Sequence, residues 1–238
     1  MTALLIGGER ITTASGGDHH HIYPATGQPN AVVPLAGAPE IDQAVASGWH
    51  AQRAWMSLPV DRRRDQLIHL ADVVHDHLDE LALLNVQDYA VPVSYAGTAL
   101  MLERFLRHFA GYVDKPQGSS TPVQGSFDVN LIEREPFGVV GVIAPWNGAL
   151  AVAGSCVAPA LAAGNAVVLK PSELAPATSA LLARLIPEYL DGDAVRVVEG
   201  DAVTTQALLA QGFDHAFFTG GTEVGRKIMA AAAPTLLR

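Results

Sequence analysis

The chain has 238 residues, a formal net charge of −9 and one cysteine. That length allows one large domain with a sizeable core, and no basic run exceeds Arg62-Arg63-Arg64, so nothing marks a nucleic-acid binder or a protein drawn to an acidic membrane surface. A lone cysteine excludes an internal disulfide framework and fits a reducing compartment. The N-terminus MTALLIGGERITTASGG lacks the basic start, apolar stretch and small-residue cleavage site of an export signal, which leaves a cytoplasmic setting and a small-molecule ligand as the expectation.

In chain order, residues 4–6 and 9–13 read as short strands around the Gly7-Gly8 turn, and Ser15-Gly16-Gly17-Asp18 reads as a loop. The triple His19-His20-His21 is taken as solvated loop histidines. Neighbouring side chains point in different directions and no fourth ligand has suitable spacing, so no metal site is expected. Tyr23-Pro24-Ala25-Thr26-Gly27 forms a turn. Pro39 then opens a helix carrying Ile41, Ala44, Val45 and Trp49. Between Asp61 and Asn85 the residues Leu67, Leu70, Ala71, Val74, Leu78, Leu81 and Leu84 recur at intervals of three and four, predicting one amphipathic helix. A third helix, about Ser94 to Val113, carries Leu100, Met101, Phe105 and Phe109, a stripe expected to be core.

Residues 115–121 read as loop, and Val123 to Glu135 as a hairpin turning at Gly125-Ser126. An isolated hairpin is marginal in water, so an inter-subunit contact is expected there. No charged side chain occurs between Glu135 and Lys170, a run long enough to span a bilayer. Pro145, Asn147, Pro159, Asn165 and five glycines interrupt it, which favours a buried strand, turn, helix and strand. Val139–Ala144, Ala166–Lys170, Ala194–Glu199 and Asp214–Phe218 are apolar runs typical of strands covered on both faces. Helices near 149–163, 176–190 and 202–211 lie between them and another begins near Thr222. This alternation predicts a parallel sheet with right-handed crossovers.

Ligands of such sheets gather beyond the carboxyl ends of the strands. Pro145-Trp146-Asn147-Gly148 follows the first strand and lacks a Gly-x-Gly-x-x-Gly fingerprint. Lys170-Pro171-Ser172-Glu173 follows the second; its ammonium and carboxylate suit a ribose diol, or form a surface ion pair beside a proline turn. Thr219-Gly220-Gly221-Thr222-Glu223-Val224-Gly225 follows the fourth. It offers free amides to a phosphate, or is a Gly-Gly turn capped by Thr222.

These segments, with Tyr23-Pro24-Ala25-Thr26-Gly27, Phe137-Gly138-Val139-Val140 and Gly164-Asn165-Ala166-Val167-Val168-Leu169, resemble the NAD(P)-dependent aldehyde dehydrogenase superfamily over nearly the whole chain. The resemblance implies an α/β fold: an incomplete Rossmann-like parallel sheet with flanking helices (136–238), an N-terminal strand and helical lead-in (1–120) and a bridging β-hairpin used in oligomers (121–135). It implies that Lys170 and Glu173 hold the adenosine ribose of NAD, with NADP possible, that Gly200 and Val224 line the adenine pocket, and that Gly221 offers its amide to the pyrophosphate. Trp146 lies beside the cofactor, with Ile143, Pro145, Ser172, Phe218 and Gly220 completing the set. Asn147 donates its amide to an oxyanion.

Several positions depart from the pattern. Gly221 stands where Ser is common, Gly148 replaces a bulky residue, and Ala90-Val91-Pro92 replaces Gly-Lys-Pro. The family continues into a strand with Glu-Leu-Gly-Gly-Lys, whose Glu is the general base, and then into a catalytic domain with the nucleophilic Cys; here the sequence stops at Leu237-Arg238. The parent reaction oxidises an aldehyde to an acid through a thiohemiacetal and thioester, with hydride passing to NAD. Cys156 cannot supply the thiolate, since about 10–13 Å of helix separates it from Asn147 and its neighbours Val152, Ala153, Val157 and Ala160 offer no base. It is expected to be a structural core residue. The expectation is a truncated or split enzyme, inactive unless another polypeptide supplies Cys and Glu. The alternatives are a non-catalytic NAD-binding or oligomer-partner module, and a decayed fragment.

Overall fold

Apolar runs that alternate with helices set the centre of the molecule. The computed structural model describes residues 2–95, 97–125, 128–213, 215–235 and 237. The N-terminal half contains β1 (Leu4–Ile6), β2 (Glu9–Ile11), β3 (Asp18–Tyr23), β4 (Gln28–Pro34), α1 (Ala38–Ser57), α2 (Val60–Asp76), α3 (Leu78–Tyr89) and α4 (Thr98–Ala110). Then come β5 (Ser119–Pro122), β6 (Val129–Ile132), β7 (Val139–Ile143), α5 (Ala149–Ala162), β8 (Ala166–Lys170), α6 (Pro176–Tyr189), β9 (Val195–Val197), α7 (Ala202–Leu209), β10 (His215–Phe218) and α8 (Thr222–Ala232).

The main sheet has the order β10-β7-β8-β9-β1-β2, in which β10, β7, β8 and β9 are parallel. Both faces of β7, β8 and β9 are buried, which explains their unbroken Val/Ile/Leu runs. Val140, Val142, Val167, Leu169, Val195 and Val197 face a layer built from α2, α4, α5 and α6. Val139, Ile143, Val168 and Val198 face the other way, toward α1 and α7. The charge-free run between Glu135 and Lys170 is therefore strand, helix and strand, and among the described residues no helix is long and apolar enough to cross a membrane.

Buried polar groups fix the layers to the sheet. Arg196 on β9 is fully buried and donates to the Ser47 hydroxyl (3.1 Å) and carbonyl (2.8 Å) on α1. The Trp55 indole donates to the Leu161 carbonyl (2.9 Å), tying α1 to α5. Asp88, at the end of α3, starts α6: its carboxylate accepts from the amides of Ala177 (2.7 Å) and Thr178 (3.0 Å) and from the Thr178 hydroxyl (2.6 Å). These are the first amides of a helix, which have no acceptor within it.

Five details differ from the sequence-based expectation. The β1–β2 pair joins the main sheet, antiparallel to β9, so the lead-in is not separate from it. The histidine triple lies on β3, where His21 is buried between the Asn30 side chain (2.6 Å) and the Asp88 carbonyl (3.0 Å), a structural role. The helix expected from Asp61 to Asn85 breaks at His77, whose backbone leaves helical geometry, giving α2 and α3. On α4 the core face is Ala99, Leu102, Leu106 and Ala110; Phe105 and Phe109 flank it and Leu100 and Met101 are exposed, because α5 and α2 cover only the former face. The hairpin starts at Ser119, two residues before the expected limit, and every described residue of its strands is exposed. Ser126 of its expected turn, and Asp214 at the start of the fourth expected strand, lie outside the described residues.

Replacing Asp88 by Ala leaves the first turn of α6 without its acceptor. Urea unfolding monitored by circular dichroism should show a loss of about 2–3 kcal/mol.

Candidate functional site

Strand register decides which side chains meet. Ile143, the last residue of β7, pairs with Lys170, the last of β8, on one side and with Phe218, the last of β10, on the other. The segments that leave these strands therefore emerge level with one another. They enclose a cleft of about 520 Å³. Ile143, Pro145, Trp146, Asn147, Lys170, Ser172, Glu173, Phe218, Gly220, Gly221 and Val224 all line it.

Lys170 is buried, not paired at the surface, and its ammonium donates to the Gly200 carbonyl. Desolvation pushes its pKa down, opposed by the charges of Glu173, Glu199 and Asp201. Gly200 does not line the cleft. It acts from behind: it accepts from Lys170, it is bridged to the backbone of Ser172, and a Cβ on it would lie 2.1 Å from the Thr204 hydroxyl. Ser172 shapes the turn that aims Glu173, accepting from the Leu174 amide (3.3 Å) and donating to the Glu173 carboxylate (3.4 Å).

At the far wall α8 begins. Its N-cap is Gly221, and no side chain caps it, so Thr222 is the first helical residue and not the cap of the alternative reading. The first amides of the helix are left for a ligand, and with no Cβ at Gly221, where the space is open, an anion can come close. Trp146, in the segment after β7, is about half exposed and meets Tyr89 edge-on, with ring centroids 5.8 Å apart. Asn147 is exposed in the cleft just before Gly148, whose left-handed backbone (φ 64°) opens α5 and gives that glycine a conformational reason.

Ala144, Asp201, Ala202, Thr205 and Thr219 also line the cleft and were not singled out from sequence. Asp201 was legible: an Asp after a strand-end Gly and before a helix is an N-cap signal, and its carboxylate accepts from the amides of Val203 (2.8 Å) and Thr204 (3.3 Å). Among the described residues no cluster of His, Cys, Asp or Glu could hold a metal ion.

Cys156 does not line the cleft. It is buried in the main core on α5, where burial pushes its thiol pKa up. The small residues of this helix serve its contact with α4 as well as the sheet: a Cβ on Gly154 would lie 2.9 Å from the Leu102 backbone.

The sequence profile of the aldehyde dehydrogenase family matches residues 11–238. The chain belongs to that family. Among curated members, an aldehyde dehydrogenase of Enchytraeus buchholzi is 36% identical over 249 residues, covering 100% of this chain and 49% of the relative. A mitochondrial benzaldehyde dehydrogenase of Antirrhinum majus is 34% identical, covering 99% of this chain and 45% of the relative. The NAD+ complex of a Bacillus cereus aldehyde dehydrogenase superposes with a TM-score of 0.94 at 31% identity, covering 100% of this chain and 50% of that one. The chain thus spans about half the length of the curated relatives it matches.

Core burial of Cys156 has a direct readout. A disulfide-exchange reagent should modify the native thiol at least about a hundredfold more slowly than the urea-unfolded one, because thiolate formation and access are both suppressed; equal rates would place the sulfur at the surface.

Proposed function

We propose that the cleft binds a nicotinamide dinucleotide and that the chain is the cofactor-binding part of an NAD(P)-dependent aldehyde dehydrogenase, whose reaction converts an aldehyde to a carboxylic acid. The observation that carries this reading is the meeting, in one cleft, of the Lys170 ammonium, the Glu173 carboxylate and the uncapped N-terminus of α8. A cation and an acid beside each other suit the two hydroxyls of a ribose, and helix amides with Gly221 suit a pyrophosphate. The volume fits a ligand site, and the NAD+ complex of the B. cereus relative supports the choice of ligand.

In this reading Lys170 donates to the ribose oxygens and Glu173 accepts from them, while Gly221 and the first turn of α8 hold the pyrophosphate. Val224 shapes the adenine end, and Gly200 acts from behind by holding Lys170. Ile143, Pro145, Trp146, Ser172, Phe218 and Gly220 complete the walls. Glu173 and Asp201 repel a 2′-phosphate, so NAD is favoured over NADP. When bound, the dinucleotide supplies a hydride acceptor. Asn147, exposed in the cleft at the start of α5, donates its amide to an oxygen that gains negative charge. Turnover also needs a nucleophile and a base. Cys156, interior and with a raised pKa, is not that nucleophile.

NAD at about a hundred times its Kd should stabilise the folded chain by about 2.7 kcal/mol, raising Tm by roughly 5–10 °C. Lys170→Met should weaken NAD at least tenfold, and Cys156→Ala should not change the shift. No shift with millimolar NAD overturns the reading.

The β5–β6 hairpin supports a partner role as well. Val129, Leu131 and Ile132 are exposed on a strand pair that none of the described residues covers, which we read as a contact between copies of the chain. Leu131→Asp should lower the molar mass measured by light scattering; an unchanged mass removes the hairpin from the interface.

A further inference from the structure

One ionisable group near the cleft has no part in the scheme above. Glu199 follows β9 directly before Gly200, and its side chain is wholly buried. The Ser179 hydroxyl on α6 donates to Oε1, and among the described residues Oε2 has no partner. A buried carboxylate with one donor is under-satisfied. The neutral acid fits better: the Ser179 oxygen also lies 3.1 Å from the Pro176 carbonyl and 3.3 Å from that of Ala175, and a serine has one proton to give. With the carboxyl O–H donating to the Ser179 oxygen, the serine proton is free for a helix carbonyl.

The charged groups facing Glu199 are Lys170 on β8, Glu173 in the turn after β8 and Asp88 on α3; Lys170 is faced in addition by Asp201. Lys170 is already held by the carbonyl of Gly200, the residue next to Glu199.

We propose that Glu199 is a positioning residue for the dinucleotide site, acting through Lys170: as a neutral acid it leaves the ammonium turned to the ligand, and as a carboxylate it draws that ammonium away. This rests on the dinucleotide reading above and adds to it a residue outside the cleft. Burial pushes the Glu199 pKa up to about 8, against the opposing effects of the Ser179 hydroxyl and Lys170. The proton is therefore present at pH 7 and lost above pH about 8. Since the protonated form is the one that binds, affinity is constant below that point and falls above it.

The test is isothermal titration of the full chain with NAD between pH 6.5 and 9.5, with circular dichroism as the folding control. Affinity should be about tenfold weaker at pH 9 than at pH 7, and this fall should be absent in Glu199→Gln. Ser179→Ala, which removes the hydrogen-bond partner of the Glu199 carboxyl, should move the inflection of the fall. The substitution at 199 leaves Lys170, Glu173, Asp88 and Asp201 in place, so any pH dependence of their own survives it. A fall that persists in Glu199→Gln, or wild-type binding that stays flat to pH 9.5, overturns the role of Glu199 alone. Absence of binding at pH 7 overturns the dinucleotide reading with it. Should Glu199→Gln fail to fold, Ser179→Ala decides, and an unmoved inflection there is fatal.

Discussion

Ile143 stands between Lys170 and Phe218 in the parallel register, and the positions of the cleft residues follow from that one row of backbone hydrogen bonds. A slip of one residue in β8 would turn Lys170 to the opposite face and put Leu169 in the cleft. The register is specified because β7 and β8 are buried on both sides, so a slip would also exchange two fitted cores, the one around Val167 and Leu169 and the one around Val168. Specificity at the strand ends is thus a by-product of packing at the strand centres.

Burial of Lys170 shows how the same constraint shapes electrostatics. An ammonium beside a solvated carboxylate contributes little. Placed at the end of an interior strand, with Glu173 and Asp201 near and the Gly200 carbonyl as acceptor, it becomes a donor fixed in direction. Glycine is required behind it, since Thr204 occupies the space where a Cβ would go while its hydroxyl donates to the Ala36 carbonyl (2.7 Å). Lead-in, β9 and α7 are joined at this point. The N-terminal segment is therefore part of the scaffold of the cleft, though it supplies none of the expected site residues.

Much of this was legible in the sequence because the informative elements are local. Unbroken apolar runs gave β7 and β8 to within a residue, and the turns after them gave most of the cleft walls. The failures have a common cause, which is that tertiary partners were unknown. Periodicity through His77 runs on without interruption, so the break between α2 and α3 had no signal. The face of α4 was misjudged because Met101 and Phe109 are as apolar as Leu102 and Leu106, and only the position of α5 and α2 chooses between them. That β1 and β2 extend the sheet depends on a pairing with Val197 nearly two hundred residues away in sequence. Glu199 was hidden at the end of a run that reads as an apolar strand; its importance comes from what Ser179 and Lys170 do around it.

None of the residues of α8 is buried, and its cap carries no side chain. A helix so lightly held belongs to the low end of the range of local opening free energies, and its amides should exchange hydrogen sooner than those of α5. It is also the element whose first turn faces the cleft. A ligand anion there would supply the contacts that the polypeptide omits, so part of any binding energy is spent in ordering the helix, and affinity at this site is inseparable from the rigidity of its own wall.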